Sequence, residues 1–481
     1  MIKLIRNKTL ALNYFFLFFV LAFFAHLVYT FFSTDITLQL ASIFIDVIFA
    51  GLFLLAIFKF DYAFFVSLLL LPVFFLLENM AIINQVYNSQ SLSGLSFYAI
   101  DPRAIGFFSA IFFSLIFIYK RKPALFKKTP LLKTIPLAIS FLCLSSFWSV
   151  GGQEKYVQVS FYILLASLYF ATYFSVINKT SFYRLIFFFI ILSVPAILMA
   201  YFQIFGGLFF EYADMDIRRV SGPFNSPNLL GSFLLVTFAL VIMLMSIIRR
   251  EKYEVYRGCL IFYLMLALPI FFLTFSRSAW IGTVVFLAIF SLQSKRFVLG
   301  VGLTFILLLS TMLMFESTRE RVSGFSERTM FDSVYARTNI WRMSYGKFLE
   351  KPFFGHGAGS FSEVINDAKE SAGGTDNPHN DIVFFSVEGG VVGVFCFLSI
   401  IFTFYFHLFK FHFGIKKAQI IDKKEGDNLY IISLGVISLF VAMTVVSMVE
   451  SYYEGNFLHL FVWSLLGGWF ALVQKSLPVE K

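Results

Sequence analysis

Four residues of this sequence have the right types to work together on an anionic ligand: Arg219, Arg277, Arg337 and His379. A guanidinium is a planar fork of five donors that grips phosphate oxygens in a bidentate way. An imidazole takes a proton from an attacking hydroxyl when it stands beside one. Each of the four sits in a polar interruption between apolar runs, where a chain that merely spans lipid needs no such group.

Arg219 belongs to Asp216-Ile-Arg-Arg-Val-Ser-Gly-Pro-Phe-Asn-Ser-Pro-Asn228, a shaped turn before the span that starts at Leu229. Its Gly, Pro and Asn content predicts a defined loop, and Asn228 is the expected cap of the following helix. Arg218 is the neighbouring candidate for a headgroup contact. The competing reading has these arginines snorkel and pair with Asp214 or Asp216. Arg277 lies in Thr274-Phe-Ser-Arg-Ser-Ala-Trp280, a break so short that the charge sits almost at membrane depth. A charge there is costly unless it faces a partner or a wet cavity.

The remaining candidates fall in the longest polar stretch, about 65 residues from Glu316 to Asn380. Within it, Ser333 to Glu350 reads as an amphipathic helix capped by Asp332 or Ser333. Its apolar face is Ile340, Trp341, Tyr345, Phe348 and Leu349, with Arg337 and Arg342 away from that face. Arg319, Arg321 and Arg328 have Glu316, Glu320 and Glu327 close by and are equally well read as surface pairs. Gly355-His-Gly-Ala-Gly-Ser360 is a Gly-rich turn, and such turns can cradle phosphate with backbone N–H groups. A second short helix is expected near 360–370. His379 then precedes the next span and belongs at the mouth of a helix bundle, with Asn380 beside it as a candidate substrate contact. His356 reads as a turn residue; His26, His407, His412 and His459 read as structural or interfacial. Asp376, His379 and Asp381 make a weak metal signal, so no metal is expected. No serine stands at a nucleophile elbow.

The elements that must position these groups are membrane helices. The 481 residues are 59% hydrophobic and 20% aromatic, with a mean hydropathy of +0.82 and 69 phenylalanines. Soluble chains run nearer 45–50% apolar. The apolar runs are about 17–22 residues long, the length that crosses ~30 Å of hydrocarbon as helix. Helix is the default because every backbone amide in lipid needs an internal partner. The expected fold is therefore all-α: a polytopic bundle of about 12–14 spans with a loop domain of short helices. The spans fall near 12–32, 38–58, 62–77, 105–119, 135–150, 156–177, 184–205, 229–248, 259–275, 279–293, 297–315, 381–409, 429–450 and 457–474, the 381–409 run being long enough for one tilted helix. Four regions result: 1–205, N-terminal spans; 206–315, core spans with the Arg motifs; 316–380, the loop; 381–481, C-terminal spans. Cys143, Cys259 and Cys396 lie in or beside apolar runs, which argues against a disulfide framework or a zinc site. The net charge of +10 reflects basic loops rather than nucleic-acid binding.

Sorting the loops alternately to two sides puts 25 of the 38 Lys and Arg on one side, mostly Lys. By the positive-inside rule that side is the cytoplasm, with both termini there and the long loop outside. Nine of the 13 outer basic residues are Arg. Lys suffices for topology, so an Arg-rich outer face suggests an anionic ligand.

Four motifs in order resemble the O-antigen ligase family, which also contains O-antigen polymerases. They are Arg219-Val-Ser-Gly-Pro-Phe-Asn-Ser-Pro-Asn-Leu-Leu-Gly231; Thr-Phe-Ser-Arg277-Ser-Ala-Trp; Ala336-Arg337-x-x-x-Trp341 through Pro352-Phe-Phe-Gly-His-Gly-Ala-Gly-Ser-Phe361; and His379-Asn followed by Glu388-Gly-Gly-x-x-Gly393. Each alone is weak; the order makes them specific. The resemblance implies an inverting, metal-independent and cofactor-free membrane glycosyltransferase of the bacterial inner membrane, working on its periplasmic face. The donor would be a glycan on undecaprenyl diphosphate, and the acceptor a sugar hydroxyl of lipid A–core or of another lipid-linked glycan. It implies phosphate contacts from Arg219 and Arg277, with Arg218 as neighbour, an essential His379, and Arg337 as the loop-helix arginine. Membrane lipids are the other expected partners.

Two alternatives share the same sequence. A polymerase differs from a ligase only in its acceptor. A transporter of lipid-linked glycan would show ionisable residues at the bilayer midplane, and Asp46 is the one clear acid expected there.

Overall fold

The computed structural model describes residues 129–293, 327–366, 378–450 and 457–476, with breaks at 153, 177, 207–218, 225, 252–253 and 418–422. The spans expected near 12–32, 38–58, 62–77, 105–119 and 297–315 lie outside these residues, as do Asp46, His26, Arg218, Arg319 and Arg321. Among the described residues every regular element is helical: α1 (Thr134–Ser145), α2 (Glu154–Ser175), α3 (Lys179–Phe205), α4 (Pro227–Glu251), α5 (Glu254–Leu273), α6 (Arg277–Phe290), α7 (Glu327–Glu350), α8 (Phe361–Ile365), α9 (Asp381–Lys417), α10 (Lys423–Ser447) and α11 (Phe457–Ser476). Among them α3, α4, α5, α9 and α10 are long and apolar enough to cross a membrane.

Local chemistry sets the helix ends. Asn178 caps α3 by accepting from Ser181 N–H, and Ser276 caps α6 by accepting from Ala279 N–H. At α4 the cap is Ser226, not Asn228. The Ser226 hydroxyl accepts from Asn228 N–H at 3.2 Å, and its carbonyl takes the first backbone bonds. Pro227 holds the first helical position, where its missing N–H is harmless. That moves Asn228 inside the helix and releases its side chain for another role.

Small residues bring the helices close. A Cβ on Gly231 of α4 would stand 2.8 Å from Ser276 Cβ and 3.0 Å from Ala279 Cβ at the start of α6. One on Gly282 of α6 would meet Val446 of α10 at 2.5 Å and Leu235 of α4 at 2.7 Å. The loop ends of α4, α6 and α10 are thereby drawn together. On the other flank Gly467 lets α11 approach the Tyr169 carbonyl of α2. The fully buried Tyr169 ring is edged by Phe404, Trp463 and Phe470.

The long run from Asp381 is not one straight tilted helix. It breaks at Gly390, whose φ of 60° and ψ of −156° are not helical. The reason is the loop that docks there. Val391 N–H donates to Pro352 O and Val392 N–H to Phe353 O, so the broken turn is completed by the segment following α7. Helix α7 itself reaches back to Glu327, so Asp332 and Ser333 lie within it rather than capping it. Its expected apolar face also divides: Ile340 is buried against the bundle, while Trp341, Tyr345 and Leu349 are exposed.

Candidate active site

The Gly-rich turn does not offer its amides to a ligand. It wraps the carboxylate of Glu388, which is 2% exposed. Phe361 N–H donates to Oε1 at 3.2 Å and Gln158 Nε2 to Oε2 at 2.7 Å, with Gly359 and Ser360 amides also bonded to this carboxylate. His356 N–H donates to Val387 O and Gly357 N–H to Glu388 O. A turn of the kind that can cradle a phosphate here cradles an acid of the same chain, because the broken helix delivers Glu388 into it. A buried carboxylate needs such donors. The turn becomes a clamp that fixes the end of α7 and the start of α8 onto α9. His356 is buried in it, its Nε2 2.9 Å from Lys347 O, as a turn residue should be.

Beside this clamp, the loop end of the bundle gathers the expected arginines and the histidine around an acid that sequence reasoning did not single out, Glu450. Arg219 is 5% exposed and lies between two elements. Its Nε donates to Thr274 O at 2.8 Å and its Nη2 to Asn228 Oδ1 at 2.7 Å. The competing pairing with Asp214 or Asp216 falls on residues that are not described. Asn228 passes the connection on, since its Nδ2 donates to Glu450 Oε1 at 2.8 Å. Arg337 of α7 donates from Nη2 to the same oxygen at 3.2 Å. His379 Nδ1 lies 3.0 Å from the other oxygen, Oε2. Arg277 is exposed at the first position of α6 and interacts electrostatically with Arg337 and Glu450. Four separate chain segments thus converge on one carboxylate.

His379 is held with care. Its φ of 49° is left-handed, unusual for a residue with a Cβ. On one side Trp341 Nε1 donates to Pro378 O at 2.7 Å. On the other, Asn380 Nδ2 donates to Met448 O at 3.1 Å, while Asn380 Oδ1 accepts from the N–H groups of Ile382 and Val383. Asn380 thus caps α9 and ties it to the end of α10. Such strain persists only where surroundings impose it, and it concentrates at functional sites.

The cluster mixes three guanidiniums, one imidazole and one carboxylate, which leaves it with excess positive charge at a partly open mouth. It suits an oxygen-rich anion next to a hydroxyl. Among the described residues no three His, Cys, Asp or Glu side chains gather as a metal site.

A family model described as O-antigen ligase matches residues 262–398. That stretch of the chain, under a third of its length, is similar to the O-antigen ligase family. Within that match lie Arg277, Arg337, His379, the Gly-rich clamp and Glu388; Arg219 from the loop before α4, Asn228 from the first turn of α4 and Glu450 from the turn after α10 lie outside it and complete the cluster. No curated protein matches the chain. Its helices α3, α4, α5, α9 and α10, long and apolar enough to span, are those of a multi-pass membrane protein.

Two site residues escaped the sequence. Glu450 closes an apolar run in Ser-Met-Val-Glu450 and looks like any acid at a membrane surface. Its signal was its placement on the same side as the arginines. Asn228 reads in the sequence as a helix cap, a task that Ser226 takes instead.

Proposed function

We propose that this protein is an O-antigen ligase: a glycosyltransferase that moves a glycan from undecaprenyl diphosphate to a sugar hydroxyl of lipid A–core on the periplasmic face of the inner membrane. The observation that carries the reading is the convergence of Arg219, Arg277, Arg337 and His379 at one end of the bundle. Charge that develops on a departing diphosphate is what such arginines stabilise. Arg277, exposed at a helix N-terminus, is the first contact for that diphosphate, with Arg337 beside it. Arg219 holds the cluster together from behind and adds positive potential. His379 takes the proton of the acceptor hydroxyl. The donor carries its own leaving group, so the reading needs no nucleotide, cofactor or metal. Attack from the face opposite the diphosphate would invert the anomeric centre.

The test is an in vitro assay with purified protein, undecaprenyl-diphosphate-linked glycan and lipid A–core, run with a chelator. Polymer joined to lipid A–core is the expected product. Growth of the lipid-linked glycan itself would make the protein a polymerase. Movement of the donor across vesicles without any joining would make it a transporter.

A further inference from the structure

We propose that Glu450 is the positioning carboxylate of His379, setting which ring nitrogen carries the proton. This rests on the glycosyl-transfer reading above for its role, and on geometry alone for the pairing. The two oxygens of Glu450 have separate partners. Oε1 accepts from Asn228 Nδ2 at 2.8 Å and from Arg337 Nη2 at 3.2 Å. Oε2 faces His379 Nδ1 at 3.0 Å. The first set anchors the carboxylate, and the second applies it to the ring.

Both sides of the contact are fixed. Glu450 is 8% exposed, and its N–H donates to Val446 O, which locks the turn after α10. Two residues earlier in that turn, the Met448 carbonyl receives Asn380 Nδ2. The turn that presents the carboxylate therefore also grips the residue next to His379. With φ at 49° and Pro378 O held by Trp341, the imidazole is delivered to Glu450 by its backbone. A pair intended only to neutralise charge needs no such scaffold.

The chemistry follows. A carboxylate that accepts from Nδ1–H fixes that tautomer and leaves the lone pair on Nε2. In transfer, the acceptor O–H proton goes to Nε2 and the acceptor oxygen forms a bond to the anomeric carbon. The bond from that carbon to the diphosphate oxygen breaks, its electron pair leaving with the diphosphate. The imidazolium so formed faces Glu450, which stabilises it in place. An acid that orients and supports a base in this way generalises the arrangement found in catalytic triads.

The experiment compares wild type, Glu450→Gln, Glu450→Asp and His379→Ala, each full-length in nanodiscs. One readout is the ¹⁵N spectrum of labelled histidine, with the His379 signals assigned by their loss in His379→Ala. The expected wild-type pattern is a protonated Nδ1 and an unprotonated Nε2, and Glu450→Gln should populate the opposite tautomer. The second readout is steady-state transfer. Glu450→Gln should lower kcat about 10²-fold or more with KM for the lipid donor changed less than about threefold. Glu450→Asp should recover part of kcat. An unchanged tautomer in Glu450→Gln would overturn the proposal. So would a loss confined to donor KM, which would assign Glu450 to Arg337 and the diphosphate instead. If wild type moved no glycan while the tautomer still followed Glu450, the pairing would stand and the assigned reaction would fall.

Discussion

Arg219 donates to Asn228 across 2.7 Å, and Asn228 in turn donates to Glu450 across 2.8 Å, so one amide joins a buried guanidinium to a buried carboxylate. The amide uses its oxygen on the cation and its nitrogen on the anion, the only assignment that satisfies both. Asn228→Asp would reverse the second contact, setting two carboxylates against each other. Asn228→Ala removes both contacts. Hydrogen bonds to charged groups contribute about 1.5–3 kcal/mol each, which corresponds to roughly 10- to 100-fold in rate if one of them is felt in the transition state. Asn228→Ala should therefore lower kcat/KM about 10- to 100-fold, and Asn228→Asp more, with membrane insertion retained. Wild-type transfer by Asn228→Asp in the in vitro assay would show that the relay does not matter.

Arg219→Lys tests the fork itself. Arg219 reaches Thr274 O through Nε and Asn228 through Nη2, and one ammonium cannot stand at both places. Lysine keeps the charge and loses the geometry. Transfer should fall about 10²-fold, accompanied by a lower unfolding midpoint, because a single ammonium nitrogen cannot reproduce the two separately placed donors that meet Thr274 O and Asn228. Full activity with an unchanged midpoint would assign Arg219 to charge alone.

Arg277 should separate function from stability in the opposite way. It is exposed, and its interactions with Arg337 and Glu450 are long-range rather than hydrogen-bonded. Substitutions at such positions usually change stability by less than about 0.5 kcal/mol. Arg277→Ala should fold and insert like wild type yet lose transfer to background. Product formation at the wild-type rate would remove it from the site.

What the sequence reveals of placement follows from distance along the chain. The position of Arg277 at a helix start is legible because a two-sided fact, apolar runs ending at Phe275 and resuming at Ala279, is local. The position of His379 is legible for the same reason, close before the helix that starts at Asp381. The helices α2 to α6, α10 and α11 were legible from their apolar lengths. What sequence reasoning missed was pairing. The Gly-rich turn announced a nest of amides, but its occupant, Glu388, arrives from a helix that breaks only because the turn docks on it. Glu450 reaches His379 across 71 positions, and nothing near Glu450 marks it as different from a solvated acid. Asn228 has the composition of a cap; that Ser226 takes the task depends on Pro227 filling the first helical position.

The docking of loop on broken helix gives a stability prediction with its own control. Gly390 has φ 60° and ψ −156°, a region essentially confined to glycine, and a Cβ there would lie 2.5 Å from the Phe353 backbone. Gly390→Ala therefore meets both strain and collision, and neither can be relieved without undocking Phe353 and losing the bonds from Val391 and Val392. A loss on the order of 3 kcal/mol is expected, together with faster protease cleavage between residues 351 and 366. Gly346 of α7 is the contrast: a Cβ there meets nothing within 4 Å. Gly346→Ala should leave the clamp intact and stabilise the helix by about 0.5–1 kcal/mol. Thermal unfolding of both variants in detergent, with limited proteolysis alongside, decides the matter. If the two behaved alike, the break at Gly390 would not be held by the loop, and the clamp that carries Arg337 and Trp341 towards His379 would need another anchor.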